Sequence, residues 1–487
     1  MEPIAAPKGM PRWALLLAIL LIAVGLYLRL FGLDRESLWF DEIFTWRYSS
    51  MGDLASVIDR GAAGDVHPPL YLVLWHFWIR FAGDSEWSLR FPSVMAGFAA
   101  IPAMFHLGRR SYSWREGLIS AALMTISFAP LYYSQEARAY SFVVLLTIVV
   151  MIFSLRILES VLGGARASTG ACAGYAVSSV LLAYLHYFGL LLVLLLAAGG
   201  LLISIRRRTA LLQMMMLHVP LVVAYAPWLP VMKRQWQSKQ DFWIADPDPG
   251  ELIAVLRLIF SKSDLLVYAA ILLYLSLLLR WIRSRRGRGL KSPPATLLTT
   301  FCLVAPILVA YLFSELMRPI LTRRNLLICL PAAYLLLSRA TRSLRIFRAW
   351  LPAAVSVFFV LATAISVFWL GSYYGRPHKQ QWREAAREIL EHSSEHSPAE
   401  DVSVVIVKLP DYSLYYYLRP SHGTASTLHA RSAADLVATC SRAKTSFLWV
   451  VSPDPLPARV IDDLRGDRWI LQRAQHLCDL TLWLLHR

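Results

Sequence analysis

Three short segments and three late arginines hold most of the side chains able to do chemistry. The first segment is Leu38-Trp39-Phe40-Asp41-Glu42, where two adjacent carboxylates sit among aromatic residues. A carboxylate in a low-dielectric setting suits the work of a general base. On a helix the two would point about 100° apart, so one of them faces a reaction centre. The plain alternative is a helix cap with solvated charge. The second segment is His67-Pro68-Pro69. Its prolines fix the entry into a helix, and His67 at that entry is either an ordinary helix start or a contact for a phosphate or a metal. The third is the run from Tyr132 to Tyr140, which carries Glu136, Arg138 and Tyr140. Arg138 has the forked donors that bind phosphate, and Glu136 can orient a hydroxyl or a cation; the same residues would also serve as an interfacial anchor. Arg318, Arg323 and Arg324 follow late in the chain and suit an anionic headgroup.

These residues sit in a chain of 487 residues that is 57% hydrophobic and 17% charged, with a mean hydropathy of +0.49. That is too much apolar surface for one aqueous core, and it excludes a soluble enzyme, a disordered chain and a collagen-like rod. The net charge of +17 does not indicate nucleic acid, because the basic residues fall in short clusters between apolar stretches. Five scattered cysteines with no CxxC pair exclude a disulfide scaffold or a zinc site. The composition is that of a polytopic membrane protein.

A helical span needs about 20 mostly apolar residues. About eleven stretches come close: 12–31, 87–108, 116–132, 139–158, 171–187, 188–205, 210–230, 264–282, 295–313, 320–338 and 349–371. Gly189 places a tight turn between the two short spans in 171–205. With the N-terminus inside, eighteen Arg and Lys residues fall in the cytoplasmic loops, whereas the opposite loops at 133–138 and 183–190 hold one Arg and none. The positive-inside rule thus predicts a cytoplasmic N-terminus and an outer C-terminus. The first stretch is read as a span rather than a signal peptide, because no small-x-small site follows it. Residues 68–82 read as a helix lying at the outer surface and stopped near Gly83. The outer loop then runs over 32–86, and a second long loop at 231–263 carries an amphipathic segment near 250–260.

Residues 1–371 form the membrane domain, and from 372 to 487 the pattern changes to that of a small α/β domain. Strand-like runs occur at 402–407, 447–451 and 480–485, and helical runs at 382–390, 433–439 and 458–464. The domain has no GxGxxG, P-loop, GxSxG or HExxH motif. An oxidising compartment permits a disulfide between its two cysteines, Cys440 and Cys478.

In the motifs SLWFDE (37–42), HPPLY (67–71), SLRFPS (88–93), YYSQEARAY (132–140) and RRNLLICLPAAYLLL (323–337), the sequence resembles the bacterial GT-C membrane glycosyltransferases. It is most similar to the branch related to protein O-mannosyltransferases and to the aminoarabinose transferase of lipid A. The stretch KQQWRE (379–384) looks like the junction that many relatives place before a soluble outer domain. The resemblance implies a polyprenyl-phosphate sugar donor used on the outer side of a bacterial inner membrane, and an acceptor hydroxyl on a lipid, a glycan or a protein. It makes Asp41 the catalytic carboxylate and Glu42 its neighbour. His67, Glu136, Arg138 and Tyr140 fall where relatives contact donor, acceptor or metal, and the family's later arginine corresponds to Arg323 or Arg324. Relatives often carry Tyr after that arginine, where this chain has Asn325. A divalent metal ion held by acidic residues and His67, with Glu136 as a further ligand, is the cofactor such a site would take. The competing reading is a transporter or lipid flippase, but such proteins place ionisable residues at midplane depth in broken helices.

Overall fold

The computed structural model describes residues 9–238, 244, 246, 248–287, 294–396, 402–408, 412–418, 425–443, 445 and 447–486. They fall in two compact units. The first comprises Met1–Phe31, Gly52–Phe81 and Arg90–Ser372, and the second Gly32–Met51, Ala82–Leu89 and Tyr373–Arg487.

The first unit is helical, as its unbroken apolar stretches require. Among the described residues eight helices are long and apolar enough to cross a membrane. They are Arg12–Leu30, Glu86–Ser111 (whose first residues belong to the second unit), Tyr140–Leu162, Tyr187–Ser204, Arg208–Gln237, Asp264–Ile282, Pro294–Leu316 and Leu351–Leu370. A ninth stretch, Trp114–Ile126 with Phe128–Ser134, is bent by 54°. Pro130 explains the bend, since its ring cannot follow the carbonyl four residues earlier. The break frees the Phe128 amide, which donates to Ser261 Oγ at 3.1 Å. The protein is a multi-pass membrane protein.

Two of the eleven expected spans are not among these long apolar helices. The stretch 171–187 becomes Thr169–Leu185, 17 residues long. The stretch 320–338 becomes a 3-10 turn, Arg323–Cys329, followed by the 14-residue helix Leu330–Ser343. Fourteen residues rise only about 21 Å. Eleven of them are buried, so this helix is enclosed by its neighbours instead of facing lipid. Its Tyr334 hydroxyl donates to the Ile259 carbonyl at 2.9 Å. The turn expected at Gly189 lies at His186, whose backbone is extended (φ −160°, ψ 139°). Gly189 instead lets the two helices approach, because a Cβ there would stand 2.4 Å from the Leu182 carbonyl oxygen.

The loop 32–86 folds into three helices, Phe40–Ser49, Leu54–Gly64 and Leu70–Ala82. The last is the expected short helix, and Gly83 ends it at φ +76°. The middle one was not legible in the sequence; Asp53 caps it by accepting from the Ser56 amide at 2.8 Å. The expected amphipathic segment is Pro249–Ile259, buried through Ala254, Val255, Leu258 and Ile259.

The second unit contains a five-stranded sheet of β1 (Val402–Val407), β2 (Ala425–Ala430), β3 (Phe447–Ser452), β4 (Ile470–Leu477) and β5 (Leu480–His486), in the order β2-β1-β3-β5-β4. β2, β1 and β3 run parallel, while β5 runs antiparallel to both of its neighbours, β3 and β4. The helices Trp382–His396, Ala433–Ser441 and Ala458–Gly466 match the expected helical runs. β2, β4 and the helix Tyr412–Leu418 were not read from sequence. β4 has no fully buried residue and only Leu471, Gln475 and Leu477 half-buried, so its sequence shows no regular apolar alternation. Cys440 and Cys478 are free thiols, contrary to the expected disulfide. Cys440 is enclosed in the core with Leu436, Leu448 and Trp469, and its burial pushes its thiol pKa up to about 12. Cys478 lies in the β4–β5 turn and its Sγ meets the Pro377 carbonyl at 3.7 Å.

Candidate functional site

In the first unit, the end of helix Leu54–Gly64 delivers Asp65 into a buried polar cluster. Asp65 Oδ1 accepts from the Val66 amide and pairs with His67 Nδ1, both at 2.7 Å. Its other oxygen accepts from the Tyr71 hydroxyl and lies 4.0 Å from Arg138 Nη1. Arg138 Nη1 also donates to Tyr71 Oη at 3.0 Å, and the guanidinium lies 5.0 Å from that ring. Burial alone would raise the Asp65 carboxyl. His67, Arg138 and the Tyr71 hydroxyl outweigh it and hold the group well below the usual carboxylate range.

Arg138 is presented by a short turn between Phe128–Ser134 and Tyr140–Leu162. Gln135 pins that turn by donating Nε2 to the carbonyls of Arg29 and Phe31, each at 3.0 Å. Those carbonyls end helix Arg12–Leu30 and lack intrahelical partners. Ser93 Oγ donates to the Arg138 carbonyl at 3.1 Å. Glu136, on the same turn, is fully buried.

His186 closes the constellation. Its ring centre is 4.7 Å from that of His67 and 6.0 Å from that of Tyr140. Its Nδ1 accepts from the Phe188 amide at 3.1 Å, which leaves the proton on Nε2. Nε2 is buried and has no hydrogen-bond partner among the described residues. His67 and His186 line a cavity of about 320 Å³ together with Arg318, Arg324 and Asn325. Its remaining walls are mostly apolar, among them Leu190, Leu194, Val309 and Phe313. Gln235 fixes the rim by donating to the carbonyls of Asp65 and His67 at 3.2 and 3.4 Å.

The two late arginines separate. Arg324 lines the cavity, whereas Arg323 forms a two-pronged pair with Glu251 at 3.1 and 2.9 Å. That bond lowers the Glu251 carboxyl pKa. Asn325, where relatives often carry Tyr, donates Nδ2 to the Ile320 carbonyl at 3.2 Å.

Asp41 and Glu42 belong to the second unit, in the first turn of helix Phe40–Ser49. Glu42 is entirely enclosed; its Oε2 accepts from Lys379 Nζ at 3.1 Å and from the Trp39 amide at 3.3 Å. Asp41 retains 8% exposure. The junction segment anchors this helix further, since Gln380 Oε1 accepts from the Phe40 amide at 3.2 Å and the Gln380 carbonyl from Ser37 Oγ at 2.7 Å.

His67, Arg138, Tyr140 and Arg324 are thus gathered around His186. Asp65 and His186 were missed by sequence reasoning. The signal for Asp65 was an acid two residues before His67, and for His186 a lone histidine between two apolar stretches. Among the described residues no group of three or more His, Cys, Asp or Glu side chains is arranged to hold a metal ion.

Residues 66–228 match the model of the family described as dolichyl-phosphate-mannose-protein mannosyltransferase. No curated protein sequence matches the chain. Among solved structures, the chain is similar to ArnT from Cupriavidus metallidurans in the apo state, with a TM-score of 0.58 and 13% identity over 96% of this chain and 97% of that one. The structure of the same protein bound to undecaprenyl phosphate gives 0.54 and 12%, with the same coverage. AglB from Archaeoglobus fulgidus, an oligosaccharyltransferase in complex with an inhibitory peptide and a dolichol-phosphate, gives 0.52 and 12% over 90% of this chain and 69% of that one. At these identities the likeness is one of fold.

Proposed function

The chain has the fold of the GT-C membrane glycosyltransferases, and on that premise we propose that it transfers a sugar from a polyprenyl-phosphate donor to an acceptor hydroxyl. The observation that carries this reading is the cavity that combines Arg318, Arg324, His67 and the unpartnered Nε2–H of His186 with apolar walls. A lipid-linked phosphate matches both halves, with the anion at the fixed donors and the isoprenoid along the apolar side. The family description and the bound lipids of the ArnT and AglB structures name ligands of the same chemistry.

The reaction is a single inverting displacement. Asp41 accepts the acceptor's proton as its oxygen forms the bond to the anomeric carbon. The bond from that carbon to the phosphate oxygen breaks, and polyprenyl phosphate leaves with the negative charge. Donors fixed before the reaction stabilise that charge without reorganising. Arg324 and His186 do this directly, and Asp65 orients His67 through Nδ1, leaving Nε2 to meet the ligand.

Arg324→Ala is expected to raise the donor KM about 10- to 100-fold, the loss of a charge-assisted hydrogen bond. Arg323→Ala removes only a pair with a half-exposed guanidinium and should change the donor KM less than about twofold. Kinetics with varied donor lipid decide this, and equal effects of the two variants would remove Arg324 from the donor site.

We place the reaction on the outer face of the membrane, because with all eleven apolar stretches crossing the arginine-rich loops share the opposite face, and the resemblance makes that membrane a bacterial inner one. A phosphatase fused after Arg487 is expected to be active and a cytoplasmic reporter at the same position silent. The reverse pattern would invert the topology.

A further inference from the structure

A second cavity lies at the other end of the same helices. It measures about 290 Å³ and is walled by the far parts of Tyr140–Leu162, Tyr187–Ser204, Arg208–Tyr225 and Pro294–Leu316, with Tyr175 from Thr169–Leu185. Two glycines leave the room. A Cβ on Gly200 would stand 3.2 Å from Met214 Sδ, and one on Gly199 would stand 3.4 Å from the Phe301 ring.

The lining is apolar except for a few groups whose state can be worked out. His218 is spent, since its Nδ1 bonds to the Met214 carbonyl at 2.7 Å and its Nε2 meets the Tyr175 hydroxyl at 3.1 Å. Ser204 is fully buried, and its Oγ has no hydrogen-bond partner among the described residues. Ser154, on the facing helix, is half-buried, and its enclosed Oγ likewise has no hydrogen-bond partner among the described residues. Buried hydroxyls without partners are costly, so two of them on one apolar cavity point to an oxygen-bearing ligand. Three residues past Ser204, Arg207 donates Nη1 to the Val161 carbonyl at 3.0 Å, which holds its guanidinium against a lining residue. Arg206 and Arg208 flank it, both exposed. Leu202 and Ile205 beside the cavity are 69% and 65% exposed, as lipid-facing residues are.

We propose that this cavity binds an anionic glycerophospholipid, with one acyl chain between Gly199, Gly200 and Phe301 and the phosphate at Ser204 and Arg207. An apolar slot with a basic mouth between spanning helices has the chemistry that recognises such headgroups. The site is independent of the transfer reaction, so the failure of either leaves the other standing.

The test uses the full chain in lipid nanodiscs doped with phosphatidylglycerol carrying a diazirine on one acyl chain, followed by peptide mapping. Phosphatidylethanolamine with the same label and a labelled polyprenyl phosphate are the comparison arms. Labelling is expected in 154–161 and 199–217, and phosphatidylglycerol should exceed phosphatidylethanolamine. Gly200→Leu fills the slot and should abolish the label. Arg207→Gln, at an exposed position, should lower it about fivefold, the loss expected for one basic residue at an anionic lipid surface; it keeps the test decisive if Gly200→Leu does not fold. Equal labelling by the two phospholipids, preferential labelling by polyprenyl phosphate, or label spread over lipid-facing residues in both variants would overturn the proposal.

Discussion

Asp41→Asn is expected to lower turnover about 10²- to 10⁴-fold, the loss of a general base, with the melting temperature unchanged. The amide keeps the shape of the carboxylate and cannot take the proton. The adjacent residue supplies the control. Glu42 is enclosed and bonded to Lys379 at 3.1 Å, so Glu42→Gln leaves that ammonium without its carboxylate. Breaking a buried pair from one side costs about 3–5 kcal/mol. The two variants therefore separate: one loses rate and keeps stability, and the other loses stability. Single-turnover kinetics and thermal unfolding read the two effects. Near-normal turnover in Asp41→Asn would move the base to Glu42 or Glu136.

Asp65→Asn is expected to destabilise the first unit by about 3–5 kcal/mol, because it removes the carboxylate that His67, Tyr71 and Arg138 share in a buried setting. The sign with pH follows from its lowered pKa. A depressed carboxyl contributes stability above its unfolded pKa and loses it as pH falls through the folded value. The wild-type contribution is thus complete at neutral pH and declines only in strong acid, and the gap between wild type and Asp65→Asn closes there. Thermal unfolding in detergent across pH measures it. A constant gap down to strong acid would mean that the charge of Asp65 is not what holds the cluster. Because the partner of His67 Nδ1 loses its charge and holds the ring less firmly, the variant should also raise the donor KM.

Much of the architecture was legible because apolar length is a one-dimensional signal. Helices such as Arg12–Leu30 and Tyr140–Leu162 stand where hydropathy put them. Leu330–Ser343 is apolar enough to be read as a lipid-facing span, yet it is buried by its neighbours. Hydropathy reports transfer out of water and does not distinguish lipid from protein surroundings. In the second unit β1, β3 and β5 were readable as β-branched and leucine-rich runs. The edge strand β4, ILQRAQHL, lacks an apolar face and was not. At the site, motif residues such as His67 and Arg138 were legible through their unusual types. Asp65 and His186 acquire meaning only through partners as distant as Arg138 and His67, and one chain read in order carries no such pairing. The division of labour between Arg323 and Arg324 was likewise invisible, because it depends on Glu251, a residue of another helix.

The most direct measurement of the central claim is transfer by the purified protein in proteoliposomes. The donor is a polyprenyl-phosphate sugar radiolabelled in the sugar, and envelope lipids and glycans are offered as acceptors. The account predicts that label moves to an acceptor with inverted anomeric configuration as polyprenyl phosphate is released. It also predicts that Asp41→Asn and Arg324→Ala each suppress the transfer. Label that crosses the bilayer still attached to an intact donor, with no sugar transferred, would contradict it and establish transport instead.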